Sequence, residues 1–405
     1  MQIKSSLRRQ LIVTAALALS LGSVHAQKRY DVGASDTEIK IGNILPYSGP
    51  ASAYGTIGKA AAAYIDKVNA EGGVNGRKIT FISVDDAYTP PKTVELARKL
   101  VEQDEVLALF LPLGTTHNLA IQKYMNVKKV PQLFVGSGAS RFGEIKDNPW
   151  TIGWQPTNRA EAMAYAQYIL KITPNAKIAV LMQNDDFGKD YFKGFIEGLG
   201  DKAKVMVISQ QTYETTDPTV DSQIVAMKGS GADTLVILTT PKVAAMAIKK
   251  ADEIGWRPAR FLVSSANSVG AVLKPAGLEA AKGIISATYL RDPTDPVTQA
   301  TKEYQDYAAT MKQYYPSGAA SDVLNVLGYT AAQTLVQTLK QAGNNLTRQN
   351  VMKQALSLNI TLPMLQPGIT VQTGPTDAYP IEKMQLIQFT GTRYENFGGT
   401  FGDGK

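Results

Sequence analysis

The sequence predicts an α/β protein of two similarly built lobes, each with a parallel sheet covered on both faces, and three observations carry that expectation. Short apolar runs alternate with helix-length segments along the chain. The runs are apolar on both faces, as buried parallel strands are, and the connections are long enough to hold crossover helices. The alternation starts again at Lys177, and two βα arrays in series imply two lobes.

Taken in order, a strand over Ile39–Ile44 leads into an alanine-rich helix over Ala51–Glu71, which Gly72-Gly73 closes as a C-cap. Strands over Ile79–Val84, Val106–Leu111 and Gln132–Val135 alternate with helices over Pro91–Glu102 and Asn118–Met125. The stretch WTIGWQPTNRAEA, Trp150–Ala162, is aromatic and proline-punctuated and reads as a crossover. The second array sets strands Lys177–Met182, Lys204–Ser209, Thr234–Leu238 and Phe261–Val263 against helices Tyr191–Leu199, Ser222–Gly229 and Lys242–Ile254. Long helices over Val297–Tyr314 and Asp322–Ala342 follow, and Lys383–Phe389 reads as one late strand. A strand returning so late implies that the chain crosses between the lobes more than once.

The first 26 residues stand apart. A basic start (Lys4, Arg8, Arg9), an apolar stretch Leu11–Leu21 and small residues Val24 and Ala26 before Gln27 form a secretory signal peptide. The apolar stretch is too short for a bilayer span, so an exported, soluble mature chain is expected. Removing those three basic residues from the formal net charge of +7 leaves +4, scattered along the chain, which argues against a nucleic-acid groove. There is no cysteine, so neither a disulfide nor a lipid-modified cysteine is possible, and His117 is the sole mature histidine. Metal sites built on cysteine or paired histidines are thereby excluded, and no cofactor is expected.

In open parallel sheets ligands gather at the C-terminal strand ends, where turns lead into helix N-termini. Three first-lobe turns carry suitable chemistry: YSGPASAY, flanked by Tyr47 and Tyr54; LPLGTTHN; and VGSGAS. The last two are small and hydroxyl-rich, so backbone N–H groups could reach an anion such as a carboxylate. The plainer reading is that these residues only cap helices and make turns. In MQNDDFGKDY, Asp185 and Asp186 read as an acid–base pair or metal ligands, or more simply as a helix cap and a solvated neighbour, while Phe187 and Tyr191 offer an aromatic wall. Asp85-Asp86 reads as a strand end and turn. A lone His117 without a positioned partner is weak ground for catalysis. No G-x-S-x-G elbow and no phosphate loop occurs.

The segments IKIGNILPYSGPASAYG, KVNAEGGVNGRKI, VPQLFVGSGAS and NDDFGKDYFKGF together resemble type I periplasmic solute-binding proteins of ABC transporters, the branch typified by leucine/isoleucine/valine-binding proteins. The resemblance spans nearly the whole mature chain. It implies two doubly wound α/β lobes joined by a three-segment hinge, with residues 27–155 plus about 289–360 in the N-terminal lobe and about 156–288 plus about 361–405 in the C-terminal lobe. It also implies a non-enzymatic monomer that captures a small organic acid or amino acid and hands it to an ABC permease in the inner membrane. Carried over by position, Tyr54 is the aromatic residue packing on the solute. Gly114, Thr115 and Thr116 bind a carboxylate, Gly138, Ala139 and Ser140 contribute backbone and hydroxyl groups, and Phe187 is the second-lobe aromatic. Trp154 and Gln155 fall at the crossover, as site or hinge.

One departure bears on the ligand. Amino-acid-binding members place an acidic residue in the loop that reads VSSANSVG here, at the position of Ala266. Desolvating an ammonium without a counter-charge is costly. Asp185 or Asp186 could substitute, but the simpler expectation is a ligand without an ammonium, such as an aromatic carboxylate held among Tyr54, Trp154 and Phe187. The other classes to weigh are an exported sensory ligand-binding domain and an exported hydrolase built on His117.

Overall fold

The computed structural model describes residues 28–402, so the expected signal peptide lies outside the described residues. Two main sheets form the scaffold, and their strands are numbered along the chain. The first holds β1 (Glu38–Leu45), β2 (Lys78–Asp85), β3 (Ala108–Phe110), β4 (Gln132–Val135) and β5 (Thr151–Gly153) in the order β2-β1-β3-β4-β5. All its pairings are parallel, with β1 and β2 in register from Glu38↔Lys78 to Leu45↔Asp85. Helices Gly55–Ala70 (α1), Pro90–Glu102 (α2) and Thr115–Lys128 (α3) connect them. The α1 segment stops where Gly72 and Gly73 take positive φ and donate back to Asn69 and Val68, the cap that the glycine pair predicts.

The second sheet holds β6 (Ile178–Gln183), β7 (Val207–Tyr213), β8 (Thr234–Leu238), β9 (Ala259–Leu262), β10 (Ile285–Thr288), β11 (Lys383–Phe389) and β12 (Tyr394–Gly402), in the order β12-β11-β10-β9-β8-β6-β7. Its parallel part carries helices Asn158–Ile172 (α4), Asp186–Leu199 (α5), Asp221–Gly229 (α6) and Pro241–Glu253 (α7). The expectation of a purely parallel sheet needs correction at one edge: β11 runs antiparallel to β10, and β12 folds back on β11 as a hairpin. The chain reaches β11 from the other lobe rather than through a covering helix, so nothing forces a parallel pairing.

Other differences have local causes. Residues 203–206 form a helical turn before β7 rather than the start of a strand. The expected Val297–Tyr314 helix is broken into Pro296–Gln299 and Lys302–Tyr314 (α8), because the Thr301 side chain accepts from the Tyr304 N–H and caps a new helix. Strands β5, β10 and β12 carry no strand signature in the sequence, being short or, in β12, glycine-rich. Helix α9 (Val323–Ala342) packs along α1, so the late helices return to the first sheet while β11 and β12 complete the second. Among the described residues, no helix is long and apolar enough to cross a membrane.

Candidate functional site

A cavity of about 60 Å³ lies between the two sheets, room for several waters or a compact ligand. Its first-lobe wall comes from the ends of β3 and β4: Leu113, Gly114 and Thr115 on one turn, Gly136, Ser137 and Gly138 on the next. Gly114 sits at φ 102°, ψ 139°, caps α3 without any side-chain hydrogen bond, and accepts from the Asn118 N–H. The first amides of α3 thus have no intrahelical partner, and they lie at the positive end of the helix dipole beside the cavity. A Cβ on Gly114 would come within 2.5 Å of His117 Nδ1, so the turn closes only with glycine there. Thr115 and Ser137 hydroxyls join the two turns at 2.7 Å.

Tyr54 and Tyr88 supply aromatic surface, each only 6% exposed. Tyr88 went unnoticed in the sequence because its placement depends on a strained loop. Ala87 and Tyr88 both adopt left-handed φ, 53° and 57°, at a cost on the order of 1 kcal/mol each. Asp85 and Asp86 hold that loop: Asp85 Oδ1 accepts from Ala87 N (2.8 Å) and Tyr47 N (2.9 Å), and Asp86 Oδ1 accepts from Tyr88 N (2.9 Å). Thr93 donates to Asp86 Oδ2 at 2.7 Å. The turn reading of these aspartates is what the structure shows, with the added effect of aiming an aromatic ring. Tyr47 packs over Gly58 and bonds Ser83 rather than facing the cavity.

The second-lobe wall is Phe187 with Ser264, Ser265 and Asn267, and the crossing strands add Gln155 and Thr288–Leu290. Helix α9 contributes Val323, Leu324 and Leu327. Among the described residues, no Asp, Glu, Lys, Arg or His lines the cavity. The serines and asparagine flank Ala266 and carry no family-independent signal in the sequence.

The site residues expected from the sequence therefore divide. Tyr54, Gly114, Thr115, Gly138, Gln155 and Phe187 line the cavity. Thr116, Ala139, Ser140, Trp154 and Ala266 do not. Thr116 Oγ1 turns to the other lobe and donates to Asp185 Oδ2 at 3.0 Å. Ala139 packs with Val135 and Phe142, and the Ser140 carbonyl accepts from Tyr379. Trp154 is fully buried, donating from Nε1 to Thr334 Oγ1 at 3.0 Å with its ring 5.7 Å from that of Tyr289, so it pins a crossing strand to α9. Ala266 is buried beneath its neighbours.

Asp185 Oδ1 caps α5 by accepting from Phe187 N and Gly188 N, while Oδ2 takes Thr116 and Gln183. With both oxygens occupied, it is no free counter-charge, and Asp186 is exposed to solvent. His117 lies buried behind Tyr88, rings 4.2 Å apart, with no side chain positioned to share a proton with its ring nitrogens. Burial holds its imidazole below the usual range despite the nearby Asp86 charge. Glu161 is the acid that sequence reasoning passed over. It is 2% exposed, and burial pushes its carboxyl up against the pull of hydrogen bonds from Tyr165, Ser264 and Tyr191.

Comparison with known proteins places this architecture. The family model described as periplasmic binding protein matches residues 38–393. The Leu/Ile/Val-binding protein homolog 7 of Brucella abortus (strain 2308) is 25% identical over 368 residues, covering 87% of this chain and 86% of the relative. The crystal structure of a branched-chain amino acid ABC transporter from Thermus thermophilus with bound valine superposes with a TM-score of 0.79 at 16% identity, covering 91% of this chain and 98% of that one. A solute-binding protein of an ABC transporter from R. palustris, solved in complex with benzoate, gives 0.76 at 21% identity, covering 89% and 96%.

Proposed function

From the premise that this chain belongs to the periplasmic binding protein family, we propose that it is the substrate-binding component of an ABC importer. It captures a small carboxylate-bearing solute in the interlobe cleft, works as a monomer in the periplasm, and presents the closed form to an inner-membrane permease. The observation that carries the ligand class is the asymmetry of the cavity. Its first-lobe wall is the uncapped amino end of α3 beside glycine-bearing turns, while among the described residues no charged side chain lines it. Main-chain amides at a helix start favour an anion without needing a cation. The apolar and aromatic remainder suits a hydrocarbon body.

An organic acid, aromatic or aliphatic, fits better than an amino acid, because no carboxylate on the wall meets an ammonium. The relatives leave room for both, one solved with valine and another with benzoate. A hydrolase reading finds no support in His117, which is off the cavity wall and packed behind Tyr88. The test is calorimetry of the chain from Gln27 onward against branched-chain amino acids, benzoate-like acids and short aliphatic acids, with small-angle scattering of each mixture. Micromolar or tighter binding of an acid, about −8 kcal/mol, with compaction is expected. Binding of leucine or valine alone would overturn the organic-acid reading.

A further inference from the structure

The second-lobe wall is built with its hydrogens turned inward. Glu161, on α4, is surrounded by neutral donors. Ser264 N and Tyr165 Oη lie at 2.6 Å from Oε1, the single Tyr165 hydrogen being shared with the Leu262 carbonyl at 3.0 Å; Ser264 Oγ and Tyr191 Oη donate to Oε2 at 2.7 and 3.1 Å. A serine hydroxyl has one hydrogen, so Ser264, which lines the cavity, has only lone pairs left to offer a ligand. Asn267 repeats the arrangement independently. Its Nδ2 spends both hydrogens on Ser286 Oγ (3.2 Å) and the Ala287 carbonyl (3.1 Å), leaving Oδ1 as its remaining group. One end of the cavity therefore donates, through the first amides of α3, and at the other end Ser264 and Asn267 present acceptors, with the Ser265 hydroxyl between them free to donate or accept.

We infer that Glu161 is a positioning residue that fixes Ser264 as an acceptor, and that the cleft selects a monocarboxylate bearing a hydroxyl group directed at Ser264 and Asn267. This rests on the carboxylate reading given above and narrows it. A second carboxylate at that end would meet the lone pairs of Ser264 and Asn267. An unsubstituted acid would leave two buried acceptors unpaired, which is where polar sites gain their discrimination. An ammonium would lose its hydration with no carboxylate touching it, whereas a hydroxyl is neutral and loses little.

Calorimetry with two matched sets tests this: benzoate, 4-hydroxybenzoate, 4-methoxybenzoate and terephthalate; and 4-methylpentanoate, its 2-hydroxy derivative and leucine. In at least one set the hydroxy acid is expected to bind about tenfold more tightly than its unsubstituted parent, and terephthalate more weakly than benzoate. In Glu161→Gln the Ser264 N–H still needs an acceptor, so the amide oxygen takes the Oε1 place and the NH₂ faces Ser264 Oγ. Ser264 then turns its hydrogen to the cavity, and the preference for hydroxy over methoxy acid should fall about tenfold. A merely structural role would weaken all ligands alike. Ser264→Ala keeps the main-chain N–H bond to Glu161 and should lose the advantage of hydroxy over unsubstituted acid, whatever happens to the glutamine variant. If unsubstituted and hydroxy acids bind equally, or leucine binds more tightly than its hydroxy analogue, the inference falls while the carboxylate reading stands. If no acid binds, both fall.

Discussion

Thr116→Val removes a hydrogen bond that joins the α3 turn of the first lobe to the α5 cap of the second. Thr116 Oγ1 donates to Asp185 Oδ2 at 3.0 Å, and valine keeps the shape without the hydroxyl. Hydrogen bonds to ionised groups are worth about 1.5–3 kcal/mol. Asp185 keeps Phe187 N at 3.0 Å, Gly188 N at 3.2 Å and Gln183 Nε2 at 2.7 Å, so its charge is not stranded. The site is only half-buried, which brings the loss to about 1–1.5 kcal/mol. Because the bond spans the lobes, that loss falls on the closed form and reaches the ligand only through closure. Affinity for a bound acid should weaken about 5- to 12-fold by calorimetry. The melting temperature without ligand should move by less than about 2 °C, and the scattering profile should show a larger share of open molecules at subsaturating ligand. An unchanged affinity would refute the role of this contact in closure. An equal loss of stability with and without ligand would show that the bond serves the fold rather than the closed state.

Three further outcomes are expected. Gly114→Ala forces a side chain into φ 102° and against His117, so calorimetry should show carboxylate binding lost and thermal unfolding a loss of about 1–3 kcal/mol. Trp154→Phe gives up the hydrogen bond to Thr334 and part of a fully buried ring, and should cost about 1–3 kcal/mol in denaturant unfolding with affinity within about threefold; a selective loss of binding would make Trp154 a ligand contact instead. Burial pushes the Asp190 carboxyl up to about 6, against the favourable pull of Ser140 N–H and Arg159. A raised carboxyl costs stability above that value and the cost fades as pH falls towards 4, so Asp190→Asn should stabilise the protein at pH 7 by at most about 3 kcal/mol and lose its advantage near pH 4. A constant difference across that range would refute the assignment.

What could be read from the chain alone was whatever local chemistry decides. The apolar runs of β1, β4, β8 and β11 and the glycine stop after α1 appear where residue type and spacing place them, because propensity, patterning and capping act within a few residues. Asp185 as a helix cap follows the same logic. The turns at Gly114 and Gly138 are legible too, since a helix start after a buried strand needs such residues.

Tertiary structure decided which neighbours of those turns face the cavity. Thr115 points in while Thr116, one residue on, points at the other lobe, and Ser264 and Asn267 line the wall that Ala266 only supports. The role of Glu161 depends on a serine 103 positions later in the chain, and Tyr88 on two aspartates holding a strained loop. Such groupings are fixed by how separate elements pack and by the need to satisfy every buried polar atom, and neither constraint leaves a mark at short range in the sequence.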